Sequence, residues 1–274
     1  MQTTAKLTGE RPQQGVTPDS LLALHAAGYR AMVERLGPGR VLDVGCGQGF
    51  ESVTLGGDGR AVVGADYSAE AVATATARFG PGRSGDGEPG DGSLRVAQMD
   101  ALSLGFADRS FDAVCSSHLI EHFTDPAGHV AEIARVLADD GSALFLTPNE
   151  PADFENPFHV HLFGRRELAE LLGRHFGEVW LGGVDAVPHV KADFAARRAK
   201  AEKLLRLDVF DLRHRMPRSW YITAYTRLLP LAYRLVARGD TGGVTRITAD
   251  DWFVTEDLDD TTLVLFAVAR RPIR

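Results

Sequence analysis

Val41-Leu42-Asp43-Val44-Gly45-Cys46-Gly47-Gln48-Gly49-Phe50 is the stretch that decides the fold. A short apolar strand runs directly into three alternating glycines. Glycine adopts backbone conformations that other residues avoid, and it lets a ligand approach the main chain closely. In an open parallel sheet, the turn after the first strand is a usual ligand crevice. A dinucleotide loop of the form G-x-G-x-x-G would need its third glycine at position 50, where Phe50 stands. The spacing is instead G-x-G-x-G, with Asp43 two residues before the first glycine. That arrangement suits a ligand carrying an amino-acid group better than a pyrophosphate resting on a helix N-terminus.

The strand-turn-helix pattern continues outward. Further apolar strands read at Ala61–Ala65, Leu94–Ala97, Phe111–Ser116, Ala143–Thr147, Val179–Leu181 and Leu263–Val268. Apolar spacing predicts a first helix from Leu21 to Leu36, closed by Gly37-Pro38-Gly39. It predicts others over about 48–55, 69–79, 127–138 and Gly164–Phe176. Apolar strands alternating with helices imply βαβ units and a parallel sheet covered on both faces. Residues 1–19 read as a loose polar arm, and the glycine-rich Gly80–Ser93 as a mobile loop.

Between about 190 and 250 the pattern breaks into helical, arginine-rich sequence, and 191–218 holds nine Lys or Arg against four Asp or Glu. Tyr221–Ala237 is more apolar and reads as another helix. The block reads as a lid packed over the carboxyl edge of the sheet. The alternative is a structural appendage with a solvated basic face.

The 274 residues admit one large α/β domain. No apolar run reaches the length that spans a bilayer, and the N-terminus lacks the apolar segment of a secretory signal. Two cysteines, Cys46 and Cys115, cannot build a disulfide framework or a four-cysteine zinc site. These readings point to the cytoplasm and to no membrane partner. A net charge of -7 argues against a general nucleic-acid binder.

Two more carboxylates fall at strand ends. Asp66 closes Val62-Val63-Gly64-Ala65-Asp66-Tyr67-Ser68, where an acid can accept both ribose hydroxyl hydrogens, in NAD as in other nucleosides. Asp100, in Gln98-Met99-Asp100-Ala101, is placed to accept from an adenine amino group, with Met99 packing on the ring.

Together VLDVGCGQG (41–49), GADYS (64–68), QMDA (98–101) and FDAVCSSHLIEHFTDP (111–126) resemble the class I S-adenosylmethionine-dependent methyltransferases. The resemblance covers about residues 38–185 and the final strand. It implies a Rossmann-like α/β fold with a seven-stranded sheet, order 3-2-1-4-5-7-6, and Leu263–Val268 as an antiparallel strand 7. It implies S-adenosyl-L-methionine as cofactor, with Asp43, Gly45 and Gly47 around the methionine moiety. Asp66 then holds the ribose, Tyr67 one adenine face and Asp100 the adenine edge. Met99, Ala101 and Ser116 complete the candidate cofactor set. Two alternatives stay open: Gly49 serves helix–strand packing, and Asp43 orients loop amides without touching ligand. The expected division is 1–37 as arm and helix, 38–185 with 251–274 as the methyltransferase core, and 186–250 as the helical lid.

Methyl transfer needs acceptor, methyl and sulfur in line, and often a base for the acceptor proton. At helical spacing, His118, Glu121 and His122 would share one face. A second pair, His159 and His161, follows the strand that ends in Thr147-Pro148-Asn149. The catalytic candidates are His118, Glu121, His122 and His159. Three readings compete. Glu121-His122 caps the crevice without doing chemistry. A histidine acts as general base, His118 first and His159 or His161 second. Or the 118–122 segment holds a divalent metal together with His159 or His161. Metal-using relatives carry an acid where His118 stands, so this histidine-rich set would favour a transition metal over magnesium.

The leading expectation is O-methylation of a small molecule. Thr147 to Leu168 resembles bacterial members associated with sugars, glycans and secondary metabolism. The basic block suits an anionic or glycosylated acceptor, and Trp220, Tyr221, Tyr225 and Tyr233 offer rings for stacking. Alternatives are N- or C-methylation, a catalytically silent cofactor-binding protein, and methylation of nucleic acid along residues 191–218. A homodimer is compatible with all of these.

Overall fold

The structure, a computed structural model, describes residues 17–80, 94–152, 158–205, 220 and 247–274. Its strands are β1 (Gly39–Val44), β2 (Arg60–Asp66), β3 (Arg95–Gln98), β4 (Phe111–Ser117), β5 (Leu137–Pro148), β6 (Phe176–Ala186), β7 (Trp252–Thr255) and β8 (Val264–Pro272). They form one sheet in the order β3-β2-β1-β4-β5-β8-β6-β7. From β3 to β5 neighbouring strands run parallel, and β8 runs antiparallel to both β5 and β6. β8 is therefore the expected antiparallel strand, at its expected place. The expectation of seven strands is corrected to eight, because β7 adds a short edge beside β6. Its four residues bury only Trp252, too weak a pattern to read as a strand.

The central strands are buried on both faces, as the apolar runs demanded. Val41 to Val44 are all buried, and so are Ala143 to Pro148 of β5. Leu42, Val44, Val114, Phe145, Leu265 and Ala267 belong to the main core.

Among the described residues five helices accompany the sheet: α1 (Asp19–Val33), α2 (Ala69–Phe79), α3 (Pro126–Val136), α4 (Arg165–Gly173) and α5 (Pro188–Leu205). Ser68 caps α2, its hydroxyl accepting from the Ala71 amide at 3.3 Å. Pro126 opens α3, where its missing N–H costs nothing. The helix expected over 48–55 is only a 3-10 turn, Ser52–Leu55. Gly45, Gly47 and Gly49 hold the preceding chain at positive φ, and Gly56 stops the turn. The helix expected to reach Phe176 ends at Gly173, because Phe176 already starts β6.

Contacts divide the chain into two compact units. The larger comprises His25–Asp153, Val160–Asp185 and Phe253–Arg274, and the smaller Met1–Leu24, Phe154–His159 and Ala186–Trp252. Within the smaller unit, the Arg197 guanidinium of α5 donates to Ser20 Oγ at 2.7 Å and pairs with Asp193 at 2.8 Å. Phe194 packs edge-on against Trp252, and the Val187 amide donates to the Asp251 carbonyl. The arm before residue 17, the loop 81–93, the helix Tyr221–Ala237 and the rings of Tyr221, Tyr225 and Tyr233 lie outside the described residues. Among the described residues, no helix is long and apolar enough to cross a membrane.

Gly49 has a packing role that can be tested. Its φ is +80°, and a Cβ there would lie 2.8 Å from Leu94 Cδ2 and 3.2 Å from Ala75 Cβ. Gly49→Ala is expected to lower stability by about 1–3 kcal/mol through strain and overpacking. The measurement is a lower urea midpoint at constant slope, and an unchanged midpoint would refute the packing role.

Candidate cofactor and active site

The glycine loop turns back over the end of β2. The amides of Gly45 and Cys46 donate to the Ala65 carbonyl at 2.7 and 3.1 Å. This approach needs Gly64, where a Cβ would come within 2.8 Å of Cys46 Sγ. The sequence reading passed over Gly64, since a glycine inside a strand signals close packing only when its neighbour is known.

The turn brings Asp66 to the loop. The Gly47 amide donates to Asp66 Oδ2 at 2.9 Å, and the Ser68 amide donates to Oδ1 at 2.8 Å. A carboxylate offers about four acceptor positions and can accept from hydroxyls as well as from amides. Beside it, the Tyr67 ring is 61% exposed.

Asp43 sits beneath the loop and is completely buried. The hydroxyls of Tyr29 and Ser52 both donate to its Oδ2, at 3.0 and 2.5 Å. Burial pushes the Asp43 carboxyl up to about 6, against the pull of those two hydrogen bonds, and the Asp66 charge pushes the same way as burial. Tyr29 of α1 and Ser52 were not singled out from sequence, because nothing local marks them as partners of a β1 carboxylate.

On the next loop, the Met99 amide donates to the Asp66 carbonyl at 3.0 Å. Asp100 is exposed, and its carboxylate accepts from the Leu102 amide at 2.9 Å. Ser116 is fully buried, and its hydroxyl lies 2.9 Å from His129 Nε2. Its side chain is thus engaged inside the core. The neighbouring Ser117 Oγ, at the end of β4, is buried with no hydrogen-bond partner among the described residues. An orphaned hydroxyl, a cradle of positive-φ glycines and the acid of Asp66 together fit a nucleoside with an amino-acid tail.

The histidine segment departs from expectation. His118 is not helical but sits at φ +50°, and only Ile120–His122 form a 3-10 turn. The shared helix face is corrected accordingly. The His118 amide still donates to Leu146 O of β5 at 2.8 Å, so sheet pairing holds it until the chain turns. Histidine tolerates this left-handed region better than most residues.

His118 and Glu121 nonetheless meet, with Nδ1 and Oε1 3.6 Å apart. Glu121 is fully buried, and its Oε2 accepts from the Thr147 hydroxyl at 3.1 Å. Its carbonyl accepts from the amides of Val160 and His161 at 2.9 and 3.1 Å. His161 places Nε2 2.8 Å from Glu167 Oε1. His122 is half-buried in the larger unit, and His159 is half-buried in the smaller unit. The sequence reading also missed His25 of α1, whose ring centroid lies 4.7 Å from that of His118. Burial and the adjacent His118 hold the pKa of His25 down to about 3.

Comparison with known proteins agrees with this geometry. Residues 42–145 match a family described as a methyltransferase domain. A probable S-adenosylmethionine-dependent methyltransferase of Mycolicibacterium smegmatis is 31% identical over 173 residues, 61% of this chain and 63% of that one. A ubiquinone biosynthesis O-methyltransferase of Thiobacillus denitrificans is 34% identical over 136 residues, 49% of this chain and 54% of that one. A crystal structure from Thermotoga maritima, described as a possible histamine N-methyltransferase, superimposes with a TM-score of 0.55. It covers 92% of this chain and 91% of that one at 14% identity, which shows a shared fold. Residues 42–145 are thus similar to a methyltransferase domain, and the chain is similar to S-adenosylmethionine-dependent methyltransferases. Its matches span about six-tenths of the length of the first of these curated relatives.

The burial of Asp43 makes a pH-dependent prediction. Its folded pKa, about 6, lies above the ordinary 3.8, so its ionisation opposes folding. The stability it contributes is present at low pH and is lost as pH rises from about 4 to about 6. Relative to Asp43→Asn, the wild type should lose about 2 kcal/mol across that window. Urea midpoints of both proteins at pH 4.5 and 7 give the difference, and a constant difference would contradict the assignment.

Proposed function

We propose that the protein transfers a methyl group from S-adenosylmethionine to a hydroxyl of a small molecule, with a sugar, glycan or secondary metabolite as acceptor. The observation that carries the reading is Asp66, held at the end of β2 by the amide of left-handed Gly47. Transfer to oxygen is favoured by a relative named as an O-methyltransferase and by a histidine–carboxylate pair that can act as a base.

The bound cofactor supplies an electrophilic methyl group. Around it, Asp66 accepts the ribose hydroxyls, Tyr67 faces the adenine, and Asp100 accepts from the adenine amino group. The backbone at Gly45 and Gly47 admits the amino-acid tail. His118 takes the proton from the acceptor oxygen through Nε2. Glu121, facing Nδ1, fixes the tautomer and steadies the imidazolium, and the Thr147 hydroxyl fixes Glu121. The excess of basic residues in 191–218 supports an anionic or glycosylated acceptor. Arg197 does not take part, since Asp193 and Ser20 already engage it. The reaction takes place in the cytoplasm.

Asp66→Ala should weaken S-adenosylhomocysteine binding at least tenfold, roughly the cost of a charge-assisted hydrogen bond. Calorimetry reads the affinity, and wild-type binding would end the ribose assignment. His118→Asn keeps a residue at home at positive φ but removes the base. It should lower kcat by about 10²–10⁴ with cofactor affinity intact. Undiminished turnover would return His118 to a structural role. Turnover should also survive chelation. Activity lost to a chelator and restored by a divalent ion would replace the base with the metal reading.

A further inference from the structure

His129 was not singled out in the sequence, yet it is a completely buried histidine beside the cofactor loops. Its Nδ1 lies 3.2 Å from the Ala101 carbonyl, and its Nε2 lies 2.9 Å from Ser116 Oγ. A carbonyl can only accept, so Nδ1 carries the proton and Nε2 accepts from the Ser116 hydroxyl. The ring is therefore neutral with both nitrogens satisfied. Burial accordingly holds its pKa down to about 4. The Phe123 ring stacks on it, centroids 4.8 Å apart and 29° between planes.

The helix that carries His129 grips the whole segment after β3. Glu132, one turn further along α3, accepts from the Leu104 amide at 2.6 Å. Arg135, a turn beyond that, donates to the carbonyls of Leu104 and Phe106 at 2.9 Å each. Positions 129, 132 and 135 thus form a polar row on one face of α3. Within the row, Glu132 and Arg135 hold residues 104–108, while His129 alone reaches the residue next to Asp100.

We infer that His129 is a positioning residue for adenine recognition. Through Ala101 it sets where the Asp100 carboxylate stands, and through Ser116 it ties that position to the end of β4. The inference rests on the cofactor reading proposed above. It predicts that His129 governs selectivity for the adenine amino group and leaves the transfer step unaffected.

The test compares S-adenosylhomocysteine with S-inosylhomocysteine, in which a carbonyl replaces the adenine amino group, by calorimetry on the full chain. Wild type should prefer the adenine compound by about tenfold or more, the worth of a hydrogen bond to a charged group. His129→Leu should cut that preference to within about threefold, because Ala101 loses its donor. It should raise the KM for S-adenosylmethionine and leave kcat within about twofold of wild type.

Two conservative variants separate positioning from bulk. His129→Asn retains an N–H at the Nδ1 position and should keep the preference. His129→Gln places its amide nearer Ser116 and should lose it. If His129→Leu does not fold, this pair decides, and equal preferences in Asn and Gln overturn the inference. So does a folded His129→Leu with wild-type preference, or a wild type that binds both ligands equally. A wild type that binds neither overturns the cofactor reading and this inference with it.

Discussion

The hydrogen bond from the Gly47 amide to the Asp66 carboxylate is the contact on which the rest of the site depends. It joins the turn after β1 to the end of β2, and it exists because β1 and β2 run parallel in a register that sets Val44 beside Ala65. A shift of β2 by one residue would turn its side chains to the opposite face and move Asp66 away from the loop. The loop also needs its positive-φ glycines and the bare Cα of Gly64, which leaves room for Cys46. Apolar packing holds the register, and the register places the acid.

Beneath that contact lies a buried carboxylate, an expensive thing to place in a core. Asp43 is tolerated because Tyr29 and Ser52 donate to it. Its carboxyl is pushed up even so, which shows that the two hydroxyls offset desolvation only in part. The arrangement ties α1 and the turn at Ser52 to the floor of the glycine loop. The tie beneath the glycine loop comes at some cost to the stability of the fold.

A similar logic runs through the polar row of α3 and the turn at His118. The ends of parallel strands present loops whose carbonyls and amides need partners. His129, Glu132 and Arg135 supply them for residues 101–108. Glu121 supplies a carbonyl for the amides of Val160 and His161 while its side chain faces His118. His118 occupies a left-handed conformation immediately after a buried strand, which turns its ring toward Glu121 and His25. The same backbone demand that closes these turns orients the side chains available for chemistry.

The order of apolar strands, the glycine spacing after β1 and the acids at strand ends were legible in the chain itself, because they are local patterns. Hydrophobic runs marked β1, β2, β4 and β5 to within a few residues, apart from the early start of β5 at Leu137. Asp43, Asp66 and Asp100 stand out by position relative to those runs. The left-handed His118 was not legible, since helical spacing and a turn place the same residues at the same intervals. Neither was β7, whose four residues bury only Trp252. The partners of these residues, Tyr29 on Asp43, His25 on His118 and His129 on Ala101, come from distant parts of the chain. Local sequence determined which residues could form strands and cradles. Only the packing of helices on a registered sheet decided which polar side chains met, because a buried hydrogen bond is specified by geometry that no single segment contains.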